Sequence, residues 1–309
     1  MNLFYVKIKF CLRKCDKMYH KNEGMIKMGE QSELIRKLRK ERHLSQAFLA
    51  EGITTREAVS KFETRGTEIS AQTLFAFLNK MNIEPEEYVF LLQSKNTFKQ
   101  KINQVGKLLM QSGTHEQQSY IKELNQYYFE TNDPFYKLIS CQYQLLFNSE
   151  KLKDSEKFKS CEKVIKDYLN QVENWGRFEL TLYSNVLFIF DSDLILATHK
   201  NVISKMKIYN SNAYYKYSIT SFFHNVEMLF CVRKDFSSLQ KILPYYKNQT
   251  KEADYCYERI NYLIFEKIAQ KGSSFKISEI SNELSILNYL GYKQIATDIT
   301  SFVEQTFGA

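Results

Sequence analysis

The residues best equipped for chemistry in this chain form a short polar run, Thr55, Arg56 and Glu57, that begins three residues after Gly52. A guanidinium can donate two parallel hydrogen bonds to one guanine edge, and a carboxylate can accept from a cytosine amino group or steady the arginine, so this run has the chemistry of base reading. An exposed Arg or Glu on a helix is more often a solvated face, so the elements around the run must decide. Other reactive side chains do not assemble. The five histidines (His20, His43, His115, His199, His224) show no paired ligand spacing, and neither a Gly-rich phosphate loop nor a G-x-S-x-G elbow occurs. The six cysteines, at 11, 15, 141, 161, 231 and 256, lie in apolar helical pattern without paired spacing, as reduced thiols packed as small hydrophobes do. Cys11, Cys15 and His20 match no zinc spacing and lack a fourth ligand, so no metal or other cofactor is expected. A cysteine nucleophile would need a histidine beside it in space; an enzyme is not the expected reading.

The elements that must position Arg56 are legible from caps and periodicity. Three prolines and ten glycines are too few to punctuate a β-sandwich or alternating βα units, so the chain reads as all-α. Ser32 can cap a helix that turns Leu34, Ile35 and Leu38 inward. Ser45 caps the short helix QAFLAE, Gly52 supplies a tight turn, and Thr54 or Thr55 caps a third helix, REAVSKFETR, with Ala58, Val59 and Phe62 facing the core. Ser70 caps a fourth helix, and Pro85 begins a fifth. Two short helices around a Gly turn make a helix-turn-helix. LRKERHLSQAFLAEGITTREAVSKFETRGTEIS resembles the corresponding segment of the XRE or lambda-repressor-like superfamily: the Ser45-Gln46 start, Leu49-Ala50, Gly52 and Ser60-Lys61-Phe62-Glu63 all align. In a helix lying in the major groove, first-turn residues face base edges, which gives Thr55, Arg56 and Glu57 that role. The resemblance implies that Gln46, Ser60 and Lys61 contact the DNA backbone, joined by Arg36 or Arg39. Residues 36–65 carry eight Lys/Arg against four acids, a net +4 on the expected DNA face.

The overall charge of +8 is a weaker signal, because residues 1–28 alone carry seven Lys/Arg against two acids. That stretch reads as a basic extension, either disordered or upstream of a true start at Met25 or Met28. It makes a poor secretion signal, since Lys7 and Lys9 interrupt its apolar part. No window reaches the roughly 18 uninterrupted apolar residues of a membrane span, and the protein is expected in the cytoplasm without a membrane partner. Residues 29–93 are the expected DNA-binding domain.

From residue 97 to 309 the sequence becomes a succession of amphipathic helices rich in Phe and Tyr, broken at short polar stretches such as Asn132-Asp133, Lys234-Asp235 and Gly291. This pitch suggests a tetratricopeptide-like helical-repeat solenoid without the usual Trp, Gly and Pro signature. The concave face of such a solenoid can grip an extended peptide. Candidate contacts lie in NWGRFELTLYSN and YYKYSITSFFHNVEMLFCVR: Trp175, Arg177, Tyr183, Asn185, Phe222, Asn225 and Arg233. Each has an ordinary alternative. Trp175, Tyr183 and Phe222 serve equally as core, Asn185 and Asn225 as interhelical bridges, and Arg177 and Arg233 as ion pairs near helix ends.

The XRE-type head on a Phe/Tyr-rich helical body, with the internal ENWGRFELTLYSN run, resembles the Rgg/GadR/MutR family of cytoplasmic transcriptional regulators from about Met28 onward. It departs from the family where Glu63-Thr64-Arg65-Gly66 replaces the usual Glu-Arg-Gly order. The resemblance implies a homodimer that binds double-stranded promoter DNA and answers to a short signalling peptide, as in quorum sensing. Two readings stay open beside it: a helical-repeat protein-interaction regulator, or a transcription factor with a non-peptide ligand. The apolar run ISNELSILNYLGYKQIATDITSFVEQ fits a capping repeat or, preferably, a dimer contact, because paired heads read palindromic half-sites through two-fold symmetry.

Overall fold

The computed structural model describes residues 30–92, 112–148, 155–206 and 213–308, and within 93–111 positions 102, 105, 106 and 108–110; the side chains of 200–206 and 213–217 are not described. The basic extension and the Cys11, Cys15, His20 grouping lie outside these residues. Among the described residues there is no strand, and no helix is long and apolar enough to cross a membrane. The chain divides into two compact units, the first ending at Gly106.

Among the described residues, five helices with defined bounds build the N-terminal unit: α1 Glu30–Glu41, α2 Gln46–Ala50, α3 Arg56–Arg65, α4 Ala71–Lys80 and α5 Pro85–Leu92. Their starts are set locally. Ser45, Thr55 and Ser70 are N-caps whose hydroxyls accept from the backbone N–H of Phe48, Ala58 and Thr73, each satisfying a donor that the first helical turn leaves open. Gly52, at φ +74°, and Gly66, at φ +64°, occupy the left-handed region that closes the turn after α2 and ends α3. Ile35, Leu38, Leu49, Val59, Phe62, Phe77 and Leu78 form one core. Two expectations need correction. Ser32 lies inside α1 and is buried rather than capping it, and Ala58 is exposed, because the inward stripe of α3 runs through Val59, Phe62 and Glu63.

Among the described residues, ten α-helices with defined bounds form the second unit: α6 Thr114–Thr131, α7 Pro134–Asn148, α8 Glu156–Gln171, α9 Arg177–Asn185, α10 Ser192–Met206, α11 Ala213–Arg233, α12 Phe236–Gln249, α13 Cys256–Lys271, α14 Ser281–Tyr289 and α15 Lys293–Phe307. Helices pack on their neighbours in sequence, as α6 on α7 and α12 on α13, and also one beyond: α9 on α11, α11 on α13 and α10 on α12. Packing at this period creates two helical layers, as stacked helix pairs do. A single apolar core runs through them from Leu138 to Val303. Helix α11 is its axis, with no exposed residue from Ser218 to Arg233.

Candidate nucleic-acid interface and the polar interior of the helical body

Thr55, Arg56, Glu57 and Lys61 are all exposed, and Ser60 is half-buried. Because Thr55 caps α3, its hydroxyl is committed to Ala58 N–H at 3.2 Å, and Arg56 and Glu57 project from the first turn with α3's open N-terminus behind them. That end of a helix carries partial positive charge and suits a phosphate or a base edge.

Arg39 does not lie on this face. It is 8% exposed, and its guanidinium is spent inside: Nε donates to Glu63 Oε1 at 2.6 Å, Nη2 to Glu63 Oε2 at 2.7 Å and Nη1 to the Leu44 carbonyl at 2.6 Å. Glu63, itself 4% exposed, also accepts from Gln46 Nε2 at 2.8 Å. Burial alone would raise the Glu63 carboxyl, but the hydrogen bonds from Arg39 and Gln46 overcome it and hold it below the usual carboxylate range. Arg39 is therefore removed from the phosphate-contact set; it is the bracket that ties α1 to α3 and to the start of α2. Gln46 keeps its place at the first position of α2, oriented by Glu63. Arg36 stays exposed. Arg42 is also engaged, donating to the Leu38 carbonyl at 3.3 Å and lying 3.9 Å from Glu87, so the exposed charge of the face is smaller than a count of basic residues implies. Lys80 braces the turn from α4: its Nζ donates to the Phe48 carbonyl at 2.7 Å and lies over the Phe48 ring.

In the second unit, Tyr183 and Phe222 are buried at 2% and 0% exposure, leaving almost no surface for a ligand; they stack on one another within the core. Trp175 packs on Tyr183, and its Nε1–H donates to the Leu169 carbonyl at 3.1 Å, which fixes the α8–α9 connection. Arg233 is a staple, with Nη2 donating to the carbonyls of Phe190 at 2.7 Å and Phe188 at 3.2 Å and Nη1 to Ser192 Oγ at 3.3 Å. The tasks that hold Trp175 and Arg233 are structural ones. Asn185 and Asn225 are half-buried and bridge helices: Asn185 Nδ2 donates to Gln142 Oε1 on α7, and Asn225 Nδ2 to the Ser184 carbonyl on α9, both at 3.2 Å. They put side-chain amides along the row α7, α9, α11. Arg177, half-buried, opens α9.

Sequence reasoning missed the next stretch of that row. Glu227 on α11 is fully buried, and neither carboxylate oxygen has a hydrogen-bond partner among the described residues; Tyr246 Oη on α12 and Asn261 Nδ2 on α13 share that condition nearby. Burial pushes the Glu227 carboxyl well above its ordinary range, and it pushes Tyr246 up as well, with the charge of Glu227 adding to the latter. A lone acid inside the apolar run SFFHNVEMLFCV was the available signal. His224, Met228, Asn261, Ile264, Phe265, Ile299 and Phe302 line a small opening between α11, α13 and α15, with room for about one water molecule. Among the described residues no cluster of His, Cys, Asp or Glu could hold a metal.

Two family models match the chain: a helix-turn-helix family over residues 35–88, and the HTH-type transcriptional regulator Rgg, C-terminal domain, over residues 145–301. No curated protein sequence matches it. Among solved structures, the Streptococcus dysgalactiae SHP pheromone receptor Rgg2 is 18% identical, with 89% of this chain and 98% of that one covered at a TM-score of 0.67. A protein of Listeria monocytogenes EGD-e described as a transcriptional regulator is 16% identical, with 90% and 99% covered and a TM-score of 0.73. PrgX in complex with cCF10 is 13% identical, with 89% and 98% covered and a TM-score of 0.69. At these identities the structural likeness establishes the fold. The family models span both units, the second of them over half the chain, and this chain belongs to the Rgg family of helix-turn-helix transcriptional regulators.

Proposed function

We propose that this regulator binds promoter DNA in the cytoplasm as a homodimer and that a short signalling peptide, held by the helical body, controls it. The exposed Thr55-Arg56-Glu57 turn, held rigid against α1 by Arg39 and Glu63, carries the DNA half of this reading. Arg56 and Glu57 read bases, while Gln46, Ser60, Lys61 and Arg36 set the register on phosphates. Two copies supply the symmetry for palindromic half-sites. The peptide half is supported by the half-buried amides Asn185 and Asn225, suited to a peptide main chain through one donor and one acceptor, with Arg177 a further candidate at the opposite end of α9. It is also supported by the fold shared with Rgg2 and PrgX, of which the first is a pheromone receptor and the second was solved with cCF10.

Capture of genomic fragments on the purified protein, with and without short peptides from the producing cell's medium, tests both halves. Retention of a palindromic promoter site that changes with peptide is the expected result. Specific DNA with no peptide response leaves the head's role and overturns the peptide's; absence of specific DNA overturns the whole reading. With a responsive peptide in hand, Asn185→Ala weakens its binding while the fold is kept, and an unchanged affinity removes Asn185 from the site.

A further inference from the structure

Helix α2, Gln46–Ala50, is too short to hold its own direction, yet it and the turn after it set where the first turn of α3 points. Its start is fixed by Gln46, whose side-chain amide donates to Glu63 on α3. Its end is fixed from a third helix. Lys80 closes α4, and its Nζ donates to the Phe48 carbonyl at 2.7 Å and to the Glu51 carbonyl, across 32 and 29 residues of chain. Phe48 belongs to the last turn of α2, and Glu51 is its C-cap. The last carbonyls of a helix have no donor within it. Those of Ala47 and Ala50 accept the backbone N–H groups of Glu51, Ile53 and Thr54, while those of Phe48 and Glu51 accept from the lysine. A cation here also meets the negative end of the helix dipole.

The other contacts of Lys80 support this placement. Its Nζ lies 5.0 Å from the centre of the Phe48 ring. It is 3.9 Å from Glu51 Oε2, but that carboxylate is 78% exposed, so the ion pair adds little and the two carbonyl bonds decide the geometry. Gly52 follows Glu51 directly, at φ +74°. Among the described residues no atom lies within 4 Å of the place a Cβ on Gly52 would take, so packing does not hold the turn from that side. Ile53 and Thr54 then lead to Thr55, the cap of α3, and to Arg56 and Glu57.

We propose that Lys80 is a positioning residue for base reading: by holding the last carbonyls of α2 and of the turn, it fixes the direction in which Arg56 and Glu57 leave α3, and it touches no DNA itself. Two of the three N–H groups of its ammonium are spent on the carbonyls. Val59 and Phe62 anchor α3 in the core independently of it, so loss of the lysine loosens the turn and leaves the head folded. The link to base reading rests on the head as a DNA-binding unit; the bracing of the turn does not.

The test compares the full-length protein with Lys80→Met, which keeps an apolar stem and removes the donors, and with Lys80→Arg, which returns a cation able to donate to both carbonyls. Lys80→Gln, judged by the same readouts, takes the place of Lys80→Met should the latter not fold. Amide hydrogen exchange without DNA reads the turn: exchange over 51–56 is faster in Lys80→Met, that over 59–65 is unchanged, and Lys80→Arg restores most of the protection. Binding is then measured, across salt concentrations, to the fragment retained from the genome and to a scrambled fragment of equal length. In Lys80→Met the ratio of the two affinities falls by about fivefold or more, the lower end of what one bidentate base contact contributes. The salt slope on scrambled DNA stays that of the wild type, because no phosphate contact is lost. A lower slope with an unchanged ratio makes Lys80 a phosphate contact and overturns the proposal. Equal exchange over 51–56 overturns the bracing, and faster exchange with an unchanged ratio overturns the link to base reading. If the wild type retains no specific fragment, the DNA-binding reading fails and takes that link with it, while the exchange rates still decide the bracing.

Discussion

The charges buried in the N-terminal unit are neutralised in place: the guanidinium of Arg39 meets the carboxylate of Glu63 through two hydrogen bonds, and Gln46 completes the set. In the helical body the acid sent deepest, Glu227, meets no hydrogen-bond donor among the described residues and stays protonated well above the ordinary carboxylate range. The contrast separates two uses of a buried polar group. A closed network of charges holds one geometry, because each alternative strands an ion in a low dielectric. That suits a head that, in the proposed reading, presents Arg56 at a fixed place. A protonated acid among apolar neighbours holds its surroundings weakly and responds to anything that changes its proton.

The largest expected effect follows from opening the head's network. Arg39→Ala leaves Glu63 charged and unpaired in the core, which costs about 3–5 kcal/mol of stability in the N-terminal unit and abolishes DNA binding along with its fold. Urea unfolding monitored in that unit checks it, and a loss under about 1 kcal/mol would show that the network does not hold the head. Replacing Arg39 and Glu63 together with Met and Leu sharpens the point, since removing both charges restores most of the stability.

Arg56→Ala separates reading from holding. It costs about 1–3 kcal/mol at the cognate site and relaxes base preference there, while the unfolding midpoint of the head stays unchanged. Equal losses on cognate and scrambled DNA would reassign Arg56 to the phosphates.

The two regions also respond to pH with opposite sign. Glu63 is held below its unfolded value, so its contribution to stability is present above the unfolded carboxylate range and is lost as pH falls through the depressed folded value. Glu227 is raised, so the folded body binds a proton that the unfolded chain releases; its contribution is complete below the unfolded range and declines as pH rises toward the elevated folded value. Acidification therefore weakens the head while relieving the body. Glu227→Gln, neutral at every pH, flattens the decline of the body's stability as pH rises from the unfolded carboxylate range toward the raised folded value. Hydrogen exchange resolved by region reads both slopes, and parallel slopes in head and body would erase the distinction. The smallest effect belongs to Lys61→Ala, which weakens all DNA sequences alike and lowers the salt slope by about one; discrimination lost at a single base would contradict it.

Much of the head was legible because its signals are local. Ser45, Thr55 and Ser70 each cap a helix through an N–H three residues away, and Gly52 and Gly66 take the left-handed turns that separate those helices. The polar breaks of the body were readable for the same reason, with Asn132 and Lys234 both at positive φ where helices end. The candidate sites were less legible. Arg39 and Lys61 look alike as basic residues of a basic segment, yet one is interior and the other exposed. Arg233 and Trp175 have the residue types of a ligand site and are occupied as staples. Helix α11 is wrapped on every side, so periodicity gave no inward face against which Glu227 would stand out.

What the chain determined by itself is whatever closes within about one helical turn: caps, left-handed glycines, apolar stripes and the order of helices, because those interactions involve neighbours in sequence and incur little loop-closure entropy. Tertiary structure alone decided the rest. Arg39 finds Glu63 across 24 residues, Asn225 finds Ser184 across 41, and Asn185 finds Gln142 across 43. Such partners are chosen by which helix faces meet in the packed core, and burial then decides which polar groups are paired, exposed or protonated.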